Sequence, residues 1–109
     1  MMADAEELRT PDIVLAEISR KYVRERAETS RVRSRLETIT SASLITPVET
    51  EIAMKAGETF VELAERAAKQ RRRAPSLFDA IVLATARVYD SKVLTGDEHF
   101  EGLPETIPI

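Results

Sequence analysis

With 109 residues, 43% hydrophobic and 32% charged, and a formal net charge of −3, the chain has the make-up of one small globular domain. It holds no Cys, which excludes a disulfide framework and a Cys-ligated zinc site, and its single His leaves no room for a His-rich metal centre. No apolar run reaches membrane-spanning length and the opening MMADAEELR is acidic rather than signal-like, so a cytoplasmic location is expected.

Glu7–Arg9 reads as a short strand. Thr10-Pro11 then reads as N-cap and first helical position, because proline's fixed φ and missing N–H suit a helix start. A helix is expected from Pro11 to about Ala27. Its first turns carry Ile13, Val14, Leu15, Ala16 and Ile18, which surround the axis rather than form a stripe, the pattern of a helix end buried on all sides. A basic helix follows over about Ser30–Ile39, with Val32, Leu36 and Ile39 at helical spacing. Leu44-Ile45 is a short candidate strand, and Thr46-Pro47-Val48-Glu49 has the form of a capping box that opens a helix running to about Gln70. Ser76–Asp79 forms another capping box, ahead of a helix over Leu77–Tyr89. Lys92–Thr95 is a compact strand, and Thr106–Ile109 a last one, held to a sheet edge by the nearby prolines.

Strands alternating with helices predict a parallel sheet. The strands are short, and none has the long aliphatic run of a central parallel strand, so the middle of the sheet is expected to lack a member.

Three carboxylates stand in apolar surroundings. Glu17 interrupts the all-apolar helix turn, where an unpaired charge would cost several kcal/mol, about the price of burying any ion; an ion pair with Arg20 or Lys21 is the plainer account. Asp79 stands at the third position of its helix, where a carboxylate favours the dipole and closes the cap with Ser76, while Ala80–Ala86 behind it holds no charge. Asp97 follows the Lys92–Thr95 strand in a Gly-Asp turn, beside Glu98 and His99, and turn chemistry alone would place it there. Together the three acids point to a divalent metal site. Thr95, at the strand end, can hydrogen-bond a carboxylate or water. Basic residues cluster over Arg20–Arg35 and Lys69–Arg73, either as solvated helix faces or as contacts for phosphates.

The segments TPDIVLAEI around Glu17, SLFDAIVLATA around Asp79 and LTGDEHF around Asp97 resemble the PIN domain, the nuclease fold of VapC-type toxins. The resemblance implies an α/β fold, a three-layer arrangement with a parallel sheet between helices. It also implies a Mg²⁺- or Mn²⁺-dependent endoribonuclease whose acid cluster includes Glu17, Asp79 and Asp97, with Thr95 as a polar neighbour. An RNA substrate and an antitoxin partner follow from the same likeness, while self-association is expected through exposed sheet edges or the apolar helices. The family opens with a strand ending in Asp. This chain has nothing of that kind before Glu17, since neither Asp4 nor Asp12 follows an aliphatic strand. The implied fold is therefore a PIN-like domain truncated at its N-terminal side, with catalysis impaired. A non-catalytic PIN-derived binding or assembly module is the alternative, and a small helical regulatory protein is a third, favoured if Lys92–Thr95 is helical.

Overall fold

The computed structural model describes residues 8–95 and 102–108. In chain order these form β1 (Arg9–Pro11), α1 (Asp12–Arg24), α2 (Thr29–Ala42), β2 (Leu44–Thr46), α3 (Thr50–Lys69), α4 (Leu77–Val88), β3 (Val93–Thr95) and β4 (Thr106–Pro108). The strands are parallel but fall into two pairs. β1 pairs with β2 in the register Arg9–Leu44, and β3 with β4 in the register Val93–Thr106. Among the described residues no strand joins the pairs, in keeping with the absent central aliphatic run. Residues 93–95 are extended, which removes the all-helical reading.

The core lies between α3 and α4. Leu63, Ala80, Leu83, Ala86 and Leu103 make one buried cluster, and Ile52, Ala56, Ile81 and Ala84 a second. Small residues dominate the buried face of α4, which lets α3 approach closely. At the far end of this pair Arg87 ties three pieces of chain together. Its Nη1 and Nη2 donate to both oxygens of Glu62 on α3, at 2.8 and 2.9 Å, and its Nε donates to Glu105 at 3.2 Å, just ahead of β4. The paired guanidinium holds the Glu62 carboxyl below its ordinary range.

Helix ends account for several shifted boundaries. Pro11 is the last residue of β1 and the N-cap of α1, with φ −57 and ψ 140, so the helix begins one residue later than the proline suggests. Likewise Thr46 is no cap. It is buried in β2, its hydroxyl donates to the Leu44 carbonyl, and α3 starts at Thr50 with no side-chain cap. Helices α1, α3 and α4 all end in the same turn, where a left-handed residue folds the chain back. Those residues are Arg26, Arg71 and Asp90, with φ of 65, 57 and 53. The following amides, of Ala27, Arg72 and Ser91, bond back to Tyr22, Ala67 and Ala86. None of the three is the glycine that would have marked such a stop in the sequence.

The expected all-round burial of α1 is not found. The helix has no buried residue, and Ile13 is 40% exposed. Among the described elements, α2, α4 and β1 are the ones that touch it appreciably, too few neighbours to enclose a cylinder of apolar side chains.

Candidate functional site

Glu17 sits in mid-α1 with Arg20 one turn on. Arg20 Nε donates to Glu17 Oε1 at 3.0 Å, and its Nη2 contacts Oε2. This bidentate bond, helped by the charges of Arg20 and Arg24, holds the Glu17 carboxyl below its ordinary value of 4.5. The apolar cage expected around Glu17 is therefore replaced by a partly exposed ion pair on an exposed helix. Three-residue spacing brings the two side chains together, as the sequence allowed.

Asp79 is fixed more firmly. Ser76 Oγ accepts from the Asp79 amide at 3.0 Å, and Asp79 Oδ2 accepts from the Ser76 amide at 3.1 Å, a complete capping box. Behind it Ala80, Ile81 and Leu83–Ala86 are buried, so the carboxylate is mounted on a helix packed into the core. A four-residue turn after α4 reverses the chain into β3, which packs against α4. Thr95 is the last residue of β3. Asp97, Glu98 and His99 lie outside the described residues.

The elements that carry Glu17 and Asp79 touch, since α1 packs on α4. Among the described residues, however, no three His, Cys, Asp or Glu side chains gather closely enough to hold a metal ion. The donor chemistry of Glu17 and Asp79 suits a hard divalent cation, but Glu17 has both oxygens engaged by Arg20 and Asp79 has one engaged by the Ser76 amide. A cation at Glu17 has to displace Arg20.

The basic residues of the first cluster, Arg20, Lys21, Arg24, Arg26, Arg31, Arg33 and Arg35, are all exposed on or between α1 and α2. What sequence reasoning missed is a cleft of about 490 Å³ between the two strand pairs, with β1 on one side and Ser91 and Lys92, which lead into β3, on the other. Its residues come from four separate elements with no shared motif, so only the absent aliphatic strand hinted at it.

The family model of the PIN domain matches residues 1–105. The chain belongs to the PIN domain family. Two solved structures share its fold. A chain of a toxin-antitoxin complex from Klebsiella pneumoniae is 24% identical with a TM-score of 0.59, over 89% of this chain and 69% of that one. A chain of VapBC2 from Rickettsia felis, bound to a DNA fragment from the promoter, is 18% identical with a TM-score of 0.64, over 94% of this chain and 74% of that one. A search of the curated proteins gave no match. The architecture of this PIN domain, four helices with short parallel strand pairs, agrees with the α/β expectation. No helix among the described residues is long and apolar enough to cross a membrane.

Proposed function

We propose that this PIN domain is built as a VapC-type endoribonuclease dependent on Mg²⁺ or Mn²⁺, with Glu17, Asp79 and Asp97 as the acidic ligands, and that the isolated chain cleaves weakly or not at all. The observation that carries the reading is Asp79, held by a two-way cap at the start of the buried helix α4, against which β3 packs. A ligand on so rigid a mount needs little reorganisation when it binds an ion.

A divalent ion bound there supplies an acidified water and positive charge for the leaving oxygen of a phosphodiester. The remaining work falls to the chain. Glu17 becomes available when Arg20 swings out, and Arg20 then joins the exposed arginines of α1 and α2 as a contact for RNA phosphates. Thr95 orients the neighbouring carboxylate. Weak catalysis is expected because, among the described residues, no strand joins the β1–α1 side, with Glu17, to the α4–β3 side. An antitoxin partner is proposed on the likeness to the two toxin-antitoxin structures, and self-association through the open strand edges or the apolar helices.

The test is incubation of the purified chain with end-labelled RNA in Mg²⁺ or Mn²⁺. Faint, metal-dependent cleavage that disappears in Asp97→Asn supports the reading. Vigorous cleavage abolished by Asp97→Asn overturns the impairment, and cleavage untouched by amides at Glu17, Asp79 and Asp97 overturns the site. The second reading, a binding or assembly module without chemistry, is favoured by the Glu17–Arg20 pair, which neutralises a proposed ligand. It gains if the three amides bind no less metal than wild type and stabilise the fold.

A further inference from the structure

Glu17 and Arg20 form a closed pair in which each occupies the group that the other would offer to a ligand. Arg20 Nε and Nη2 cover both carboxylate oxygens, and among the described residues Glu17 is the partner of Arg20. The side chains are 59% and 34% exposed for Arg20 and Glu17, so the guanidinium turns outward without leaving a buried charge behind. An exposed pair of this kind is weakly held. The paired and open arrangements are therefore close in free energy, and any ligand that selects the open one shifts the balance.

Two ligands select it. A divalent cation needs the Glu17 oxygens, which Arg20 covers, and a backbone phosphate needs the Arg20 guanidinium, which Glu17 covers. The same helix already presents other cations to a phosphate. Lys21 and Arg24 are exposed and make no hydrogen bond or ion pair among the described residues. Arg24 lies one turn beyond Arg20, about 6 Å along α1, on the face that carries Glu17. From Arg20 to Arg35 the sequence holds seven cations and two acids, in a chain of net charge −3, so this segment is where a polyanion is drawn.

We propose that Arg20 is a gate on the Glu17 ligand, opened by the phosphate backbone of RNA, so that ion and RNA each bind more tightly in the presence of the other. This regulation rests on the reading of Glu17 as a metal ligand and of RNA as the substrate. The coupling is reciprocal: RNA strengthens ion binding by the same factor as the ion strengthens RNA binding. Its ceiling is the ratio of paired to open protein, about fivefold for an exposed ion pair.

The experiment titrates a fluorescein-labelled oligouridylate RNA against the full chain by anisotropy, with and without Mn²⁺ at fixed ionic strength. Mn²⁺ binding to each protein is followed alongside by the free-ion electron paramagnetic resonance signal. Arg20→Gln has no gate, so the effect of Mn²⁺ on the RNA itself cancels between it and wild type. Relative to that variant, Mn²⁺ should strengthen RNA binding by wild type about threefold. Without Mn²⁺, Glu17→Gln frees Arg20 and should tighten RNA binding about threefold more than Glu25→Gln, which removes an equal charge from an acid without an ion pair among the described residues. All three positions are unburied, and the circular dichroism spectrum should not change. Equal Mn²⁺ effects on wild type and Arg20→Gln, with the ion bound by both, overturn the gate and leave the ion site standing. RNA binding tightened as much by Glu25→Gln as by Glu17→Gln overturns it too. If neither wild type nor Arg20→Gln binds Mn²⁺, the metal reading falls and the gate falls with it.

Discussion

Asp79 has two possible duties, helix cap and metal ligand, and substitutions at positions 76 and 79 separate them. Ser76→Ala removes the hydroxyl that accepts from the Asp79 amide at 3.0 Å. Loss of such an N-cap costs about 1 kcal/mol, which for a domain of this size lowers the melting temperature by about 5 °C. Asp79→Asn acts differently. Asparagine retains a carbonyl oxygen that can accept from the Ser76 amide, so the loss is confined to the carboxylate's interaction with the helix dipole, about 0.3–1 kcal/mol. If Asp79 is also a ligand, the two variants diverge once Mn²⁺ is added. Melting of the Ser76→Ala protein should rise with millimolar Mn²⁺ as wild type does, from a lower start. Asp79→Asn should melt close to wild type without metal and fail to respond to it. Differential scanning fluorimetry over a Mn²⁺ series reads both quantities. An Asp79→Asn protein that keeps the full Mn²⁺ response would refute the ligand role and leave only the cap.

Arg87→Met should lower stability by about 2–3 kcal/mol, between the values for exposed and buried pairs, measured by urea unfolding. Glu62 can rehydrate, but Glu105 cannot do so readily, since its Oε1 is already buried with no hydrogen-bond partner among the described residues. Because the bond to Arg87 depresses the folded-state pKa of Glu62, its contribution is complete above the ordinary value of 4.5 and fades as pH falls through the lower folded value; Glu62→Gln should flatten that acid limb in melts taken across pH 2–5, roughly the carboxylate range. Gly57→Ala should stabilise α3 by about 1 kcal/mol in the same urea assay, as the added methyl meets nothing within 4 Å. Arg20→Gln should leave the melting temperature near wild type and tighten Mn²⁺ binding by calorimetry, because the ion no longer competes with a guanidinium for Glu17. Unchanged affinity would show that the ion does not use Glu17.

Local signals were legible and long-range enclosure was not. The Ser76–Asp79 cap and the length of α4 follow from turn chemistry and periodicity, which act over a few residues, and the parallel strands from the alternation of strands with helices. Val93–Thr95 stood out for the same reason. Burial depends on what packs against a segment, and α1 misled on this point. Its ring of Ile13, Val14, Leu15 and Ile18 reads as enclosed, yet the helix keeps an open side and Glu17 takes Arg20 as partner. Thr46-Pro47 carried a cap signature that strand pairing with β1 overrode. The Arg87 network joins residues far apart in the chain and has no local mark at all. The cleft was foreshadowed only as an absence, the aliphatic strand that no segment supplied.

Residues 17, 79 and 97 either share one cation or they do not, and titration of Mn²⁺ followed by its free-ion electron paramagnetic resonance signal decides between these. Saturable loss of signal with the wild-type chain, abolished when all three acids become amides while the circular dichroism spectrum is unchanged, is the predicted result. Equal signal loss with wild type and the triple amide, or none with either, would contradict it.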